Sequence, residues 1–297
     1  MKWRNRRQSR NVDDRRAQTG VSPVGSARLP SLGTILLLWP LVKRLMRSKA
    51  GLAILGVGAF IWLGSSLNLG SLTGGERYAA TGSAQEDELA AFVKTVLADT
   101  EAVWTEVFAD AGLRYPPPTL VLYRGATTSG CGKADSRMGP FYCPVDQMVY
   151  VDLGFFEDLR REQGAGGDFA QAYVLAHEIG HHVQNLAGTL NEVQRAKQRL
   201  HGDAQKNQLQ VGLELQADCY AGVWTNHAQR QFDMLEPGDL EEALTAAAAI
   251  GDDRLQKQAQ GFAIPHTFTH GTSEQRVSWL ARGVKDGTLA ACNTFKD

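Results

Sequence analysis

Apolar residues recur at helical spacing along much of the chain, and this pattern predicts a mainly helical protein. One such stretch spans residues 168–188, with Asp168 as its candidate N-cap and Gly188 as its candidate end. A second spans residues 208–230. Shorter helices are predicted over residues 86–111, 153–161, 239–252 and from 273 onwards, the last two opened by capping-box sequences at 239–242 and 272–275.

Two short stretches, residues 119–123 and 148–152, have the composition of β-strands. Together with the helices they predict an α+β fold that is mainly α-helical and contains a small sheet. This folded domain is expected to occupy residues 85–297, which is long enough for one substantial core.

A continuous apolar run lies nearer the start of the chain. No charged residue occurs between Lys49 and Glu76, and this run predicts one N-terminal transmembrane helix over residues 49–69, followed by a flexible linker over 70–84. A cleaved signal peptide is the alternative, but about fifty residues before the apolar core are too many for it. The earlier apolar segment 32–42 contains Pro40 and is expected to lie at the membrane interface.

The net charge of −1 hides a strong asymmetry. The first fifty residues hold twelve Lys and Arg against two Asp, whereas the rest of the chain is acidic. Because positive flanks mark the cytoplasmic side, residues 1–48 are predicted to be a basic cytoplasmic tail that contacts anionic lipids. We therefore expect a single-pass cell-membrane protein with an extracytoplasmic catalytic domain, and no nucleic-acid partner.

Four cysteines occur, and none forms a Cys-x-x-Cys pair. A structural zinc knuckle is therefore not expected, and an even number in an oxidising compartment suggests disulfides. Of the three pairings, the sequence favours Cys131 with Cys143 and Cys219 with Cys292. Four buried free thiols are the alternative.

The most informative motif is His177-Glu178-Ile179-Gly180-His181, inside the helix predicted at 168–188. Residues four apart share one face of a helix, so both imidazoles can reach one Zn²⁺ ion. Glu178 would then lie beside the open coordination position and accept a proton from metal-bound water. Gly180 in the middle of a helix indicates close approach of another element.

Catalytic zinc sites usually have three protein ligands. The best candidate for the third is Glu214 in the helix predicted at 208–230, and Asp218, one turn further, could accept the free N–H of a ligating histidine. The alternative third ligands are His201, His227, His270 and Asp218. His182 points away from His181 and is expected to support the site or to lie at the surface.

The chain resembles the bacterial neutral zinc metallopeptidases of the YpfJ type. The resemblance rests on residues 1–4 and 11–16, on 139–144 (Gly-Pro-Phe-Tyr-Cys-Pro), on the zinc motif, and on 214–219 and 270–276. It implies a zincin-like domain in which His177, His181 and Glu214 bind zinc. It further implies that Glu178 is the general base and that Asp218 supports a ligating histidine.

These observations predict a membrane-anchored zinc metallopeptidase that hydrolyses the peptide bonds of a protein or peptide substrate. One of the two predicted strands is a candidate for binding the substrate backbone along its edge, with ordinary sheet edges as the alternative. His270 is a candidate for stabilising the transition state, and Arg276 is a second candidate. The alternative is a zinc-stabilised binding or scaffold module of the cell envelope with little turnover.

Overall fold

The structure is a computed structural model that describes residues 1–17 and 83–295. These two ranges belong to one compact unit, so the first residues of the chain are part of the folded domain. The predicted anchor at 49–69, the interfacial segment 32–42 and nearly all of the linker 70–84 lie outside the described residues. Among those described, no helix is both long and apolar enough to cross a bilayer.

A four-stranded sheet has the order β1 (Val12–Asp14), β2 (Thr119–Tyr123), β6 (Met148–Asp152) and β5 (Phe141–Cys143). β1, β2 and β6 are parallel, whereas β5 runs antiparallel to β6 at the end of the sheet. A separate hairpin is formed by β3 (Ala126–Ser129) and β4 (Gly132–Asp135). The predicted strands at 119–123 and 148–152 are confirmed with the same limits.

The helices of the described ranges surround this sheet and give the mainly helical character that the sequence predicts. They are α1 (Ala84–Asp110), α2 (Gly154–Gln163), α3 (Asp168–Leu186), α4 (Thr189–Gln198), α5 (Asp203–Phe232), α6 (Asp239–Ala249), α7 (Asp252–Gln260) and α8 (Ser273–Asp286), with single turns of 3-10 helix at Ser136–Met138, Pro265–Thr267 and Leu289–Cys292. An α+β fold is therefore confirmed.

Three central helices, α1, α3 and α5, meet in an aromatic core. Phe169 of α3 stacks on Trp224 of α5 with ring centroids 6.1 Å apart, and Trp104 of α1 contacts Tyr220 of α5 edge-on. Gly180 permits the close approach of α3 and α5, because a Cβ there would lie 3.0 Å from the Ala217 carbonyl oxygen. The close approach predicted at Gly180 is confirmed.

Several predicted helix ends are wrong. Asp168 is the first residue of α3 and does not cap it; its carboxylate accepts the Met1 amino group at 2.7 Å. α6 begins without a side-chain cap, so the predicted capping box at 239–242 does not form. The second capping box is confirmed, since Thr272 and Gln275 exchange both hydrogen bonds. The stretch predicted as one helix over 239–252 ends at Ala249, and α7 starts separately at Asp252.

The N-terminal residues are not a separate basic tail, and for residues 1–17 this prediction is wrong. β1 is a strand of the sheet, in which Val12 pairs with Leu120. Several arginines of this segment pair with carboxylates of the domain: Arg6 with Asp99, Arg7 with Glu101, and Arg16 with Asp14 and Asp87. The basic residues at 28 and 43–49 lie outside the described residues.

The pairing of β1 with β2 places residues 12–14 and 119–123 on the same side of any bilayer. The predicted transmembrane helix lies outside the described residues. It stays a prediction, as does the predicted location of the domain.

Candidate metal centre and active site

Two neighbouring helices bring three potential metal ligands together. His177 and His181 lie one turn apart on α3, and Glu214 faces them from α5. Glu214 Oε2 lies 3.2 Å from His177 Nε2 and 3.5 Å from His181 Nε2. These donor atoms all fall within 4.8 Å of one another, so one cation can contact all three.

Each histidine is oriented by a hydrogen bond on its other ring nitrogen. His177 Nδ1 lies 2.7 Å from Asp218 Oδ1, and His181 Nδ1 lies 2.9 Å from Gln184 Oε1. Both acceptors favour a proton on Nδ1, which leaves the Nε2 lone pair of each ring free for a metal. Asp218 thus lies where the sequence predicts it, whereas Gln184 was not predicted.

Asp218 is the centre of a buried network. Tyr173 donates its hydroxyl to Asp218 Oδ1 at 2.6 Å, and Arg276 donates to both carboxylate oxygens at 3.0 Å. Burial by itself would raise the pKa of Asp218, but the Arg276 guanidinium and His177 outweigh it, so this pKa is lowered. Arg276 therefore directs its guanidinium to Asp218 and Tyr173, at the lining of the cleft.

Glu214 is held in a similar way. Gln210, one turn earlier on α5, donates to Glu214 Oε1 at 2.8 Å, which leaves Oε2 directed at the two histidines. Burial alone would raise the pKa of Glu214, but His181 and His177 lower it well below its usual value. Glu214 is thus an ionised, oriented carboxylate. Gln210 was not predicted, because a glutamine one helical turn from a ligand has no distinctive sequence signal.

The neighbouring carboxylates raise the pKa values of both imidazoles. Burial lowers the pKa of His177, but Asp218 and Glu214 outweigh burial and raise it to about 10. Burial also lowers the pKa of His181, and Glu214 raises it above its ordinary value. The surrounding carboxylates thus favour positive charge between the rings, which is the environment that a divalent cation requires.

Glu178 lies in the same cleft as these groups and is 8% exposed. Burial raises the pKa of its carboxyl group, and the neighbouring His181 and His177 oppose that rise. The backbone N–H of Tyr142 on β5 also opposes that rise. The candidate base is thus close to the edge strand of the sheet.

The remaining histidines lie outside the donor cluster. His182 is buried between the Tyr142 hydroxyl, 3.0 Å from Nδ1, and the Pro116 carbonyl oxygen, 2.7 Å from Nε2. His227 Nε2 contacts the Gly287 carbonyl oxygen at 2.8 Å. His270 lines the cleft, and its Nδ1 lies 3.3 Å from Asp252 Oδ1. In the described ranges, neither His201 nor any of these three joins His177 and His181 in a metal-binding group.

The cleft over the donor cluster has a volume of about 610 Å³. It is lined, among others, by Phe141 and Tyr142 of β5 and by Val193 and Lys197 of α4. This space is within the usual range for ligand-binding clefts. An extended peptide segment can therefore reach the donor atoms.

Both predicted disulfides are formed. Cys131 and Cys143 join the turn between β3 and β4 to the edge strand β5, with Cα atoms 5.8 Å apart. Cys219 and Cys292 join α5 to the last 3-10 turn, with Cα atoms 5.5 Å apart. Each bridge thus attaches a peripheral segment to an element that carries site residues. The alternative of four free thiols is wrong.

Comparison with known proteins agrees with this geometry. Residues 1–295 match the family described as "Putative neutral zinc metallopeptidase". The chain is 48% identical to the uncharacterized protein YpfJ of Escherichia coli (strain K12), with 99% of each chain covered. It is 43% identical to the uncharacterized protein Rv2575 of Mycobacterium tuberculosis (strain ATCC 25618 / H37Rv) over 66% of this chain and 67% of that one. No solved structure shows a significant match. The chain therefore belongs to this neutral zinc metallopeptidase family, as the sequence motifs predict.

Proposed function

We propose that this protein is a zinc-dependent peptidase in which His177, His181 and Glu214 hold the metal and Glu178 is the general base. The convergence of two Nε2 atoms on one Glu214 oxygen is the observation that carries the proposal. Two imidazoles and a carboxylate are a donor set of catalytic zinc sites, and the hydrogen bonds on the opposite side of each ligand fit that role.

When bound, zinc supplies a Lewis acid that polarises the scissile carbonyl and lowers the pKa of a water molecule. Glu178 accepts the proton of the attacking water on its carboxylate and then donates it to the leaving amine nitrogen. Burial of Glu178, which raises its pKa, suits both halves of this transfer. The backbone N–H of Tyr142 keeps the carboxylate oriented.

We further propose that the substrate backbone binds along β5. The strands predicted at 119–123 and 148–152 are β2 and β6, and each has a neighbouring strand on both sides. β5 ends the sheet order, and Phe141 and Tyr142 line the cleft. An extended peptide could therefore pair with its outer edge and present a carbonyl group to Glu178.

Three variants test the proposed chemistry. Glu178→Gln is expected to keep zinc but to lose turnover of an unfolded protein substrate by about 10²-fold or more. His177→Ala and Glu214→Ala are expected to lose both zinc and turnover, because each removes a donor. Metal content is measured by mass spectrometry on the purified variants, and cleavage by gel analysis.

The outcomes separate the peptidase from its alternative. Undiminished proteolysis by Glu178→Gln would remove the assignment of the base. Stoichiometric zinc in the wild-type protein with no cleavage of any unfolded substrate would favour the binding or scaffold module. Lys206→Met is the control for effects of expression and purification. Lys206 lies outside the cleft and makes an ion pair with Asp203 at 3.7 Å.

We also propose that the domain folds in an oxidising compartment outside the cytoplasm. The two disulfides support this location, because such bonds persist in extracytoplasmic spaces and are rare in the cytosol. Since residues 1–17 are part of the same folded unit, they would be located there as well.

A further inference from the structure

One basic side chain of the cleft is not among the proposed metal ligands. Lys197 of α4 lines the cleft and is half-buried. The other basic groups there have carboxylate partners: Arg276 pairs with Asp218, and His270 contacts Asp252. Within the described part of the chain, no carboxylate lies within ion-pair distance of Lys197 Nζ.

The contacts of Lys197 place its ammonium group beside the metal centre. Nζ donates to Gln210 Oε1, and Gln210 Nε2 donates to Glu214 Oε1 at 2.8 Å. Nζ is joined to Glu214 Oε1 by two hydrogen bonds of about 3 Å and the width of one amide group, so these two atoms lie at most about 8 Å apart. An extended peptide advances about 3.3 Å per residue, so the ammonium is within reach of groups about two residues from a carbonyl bound at the metal centre.

The ammonium is incompletely compensated at this position. Burial removes part of its hydration, and its neutral amide acceptor carries no opposing charge. Burial accordingly lowers the pKa of Lys197, while the more distant Glu214 carboxylate opposes that shift. Once Glu214 is bound to a divalent cation, its charge is no longer available to Lys197. An anionic group on a ligand would supply the missing partner.

We propose that Lys197 binds a carboxylate of the substrate about two residues from the scissile bond. The proposal rests on the peptidase function and adds a substrate class to it: peptides that carry a carboxylate at that distance. This group is either the free C-terminal carboxylate of a short product or an acidic side chain. Both offer the same chemistry to the ammonium, and the test distinguishes them.

The test uses one peptide frame in matched versions. The first pair ends in a free carboxylate or in an amide two residues beyond the cleaved bond, and the second pair carries Glu or Gln at that position inside a longer peptide. The wild-type enzyme is expected to prefer at least one acidic member by about tenfold or more in kcat/KM, since a hydrogen bond between charged groups is worth that factor. The pair that shows the preference identifies the source of the carboxylate.

Lys197→Met is expected to abolish the preference by raising KM for the acidic peptide by about tenfold or more relative to the neutral peptide. Lys206→Met, on the exposed part of α5 beside Asp203, is the matched control and is expected to retain the preference. Equal kcat/KM values for acidic and neutral peptides in the wild-type enzyme would overturn the proposal. An equal loss for both peptides in Lys197→Met, together with loss of zinc, would also overturn it, because Lys197 would then act only through Gln210 on Glu214.

A binding measurement separates this proposal from the peptidase function. Zinc-loaded Glu178→Gln protein is titrated with fluorescent versions of the same peptides, and the affinity ratio of acidic to neutral peptide is compared with that of the double variant that also carries Lys197→Met. A ratio of about ten or more that disappears in the double variant supports Lys197 as the carboxylate-binding residue even if the wild-type protein cleaves nothing. A ratio near one overturns the inference whether or not the wild-type protein is a peptidase.

Discussion

At the scale of single residues, each proposed metal ligand has a hydrogen-bond partner on the atom that faces away from the other donors. Asp218 and Gln184 hold the Nδ1 atoms of the two histidines, and Gln210 holds the oxygen of Glu214 that faces away from them. Such supporting contacts are worth about 10- to 100-fold in metal affinity where they have been removed. The donors are thus oriented before a metal arrives.

The proton content of the metal-free site predicts how zinc binding depends on pH. The raised pKa of His177, about 10, means that this imidazole is protonated at pH 7 without metal. Zinc must displace that proton, so binding at pH 7 is expected to release at least one proton and to weaken as the pH falls. Calorimetric titration in two buffers of different ionisation enthalpy measures the number released.

His177→Ala protein provides the control, because it lacks the group that carries the proton. Zinc binding to the wild-type protein at pH 7 without proton release would contradict the arrangement of Asp218 and Glu214 around His177.

The structure brings together the donors that the sequence proposes, whereas some of their hydrogen-bond partners were not predicted. His177, His181, Glu214 and Asp218 are recognisable as candidates because chemistry restricts the residue types that can serve and helical spacing restricts their positions. The roles of Tyr173, Gln184 and Gln210 depend on which helices face each other, and no local pattern carries that information.

At the scale of elements, the geometry of the site depends on how closely helices approach α5. α3 reaches it through Gly180, and α8 reaches it through Gly283, where a Cβ would lie 2.0 Å from the Cys219 carbonyl oxygen. The second contact brings Arg276 of α8 to Asp218. Small residues at the crossings thus set the distances within the buried network.

Gly283→Ala is expected to destabilise the protein by about 1–3 kcal/mol or more, because the added methyl group must separate α8 from α5. The gain in helix propensity, up to about 1 kcal/mol, opposes this effect but does not exceed it. Chemical denaturation of the metal-free protein measures the change in the free energy of unfolding.

Gly202→Ala is the matched control, since Gly202 has ordinary backbone angles and the nearest atom to an added Cβ is the end of the Gln205 side chain at 3.5 Å. Equal stability of Gly283→Ala and wild-type protein would show that the α5–α8 contact can widen without cost.

Long elements follow from the sequence more reliably than short ones. The apolar periodicity of α3 and α5 and the composition of β2 and β6 locate these elements correctly. β1 and β5 have only three residues each, and pairing with longer strands, not local preference, makes them strands. The edge strand that lines the cleft was therefore not recognisable before the fold was known.

At the scale of the whole molecule, the two described ranges meet near the end of the first and the start of the second. Arg16 donates to Asp87 at 3.1 Å, so these two positions are in contact. Residues 17 and 83 are therefore expected on the same side of any membrane.

Labelling in intact cells tests this topology. Single cysteines introduced at the exposed positions Arg10 and Lys285 are expected to react alike with a membrane-impermeant maleimide. If the domain is extracytoplasmic, as proposed, both positions are labelled without permeabilisation. Permeabilised cells, in which both must react, are the control. Labelling of only one position in intact cells would contradict the common fold of the two ranges.

The sequence by itself determined the candidate metal motif, its carboxylate partner, the disulfide pairs and the mainly helical fold, because these follow from residue types and short spacings. Only the tertiary structure decided that the first residues of the chain belong to the folded domain, that β5 is the free edge at the cleft, and that Lys197 lies near the proposed metal ligands. Short spacings are enforced within one element by backbone geometry, whereas contacts between distant segments depend on how all the elements pack together.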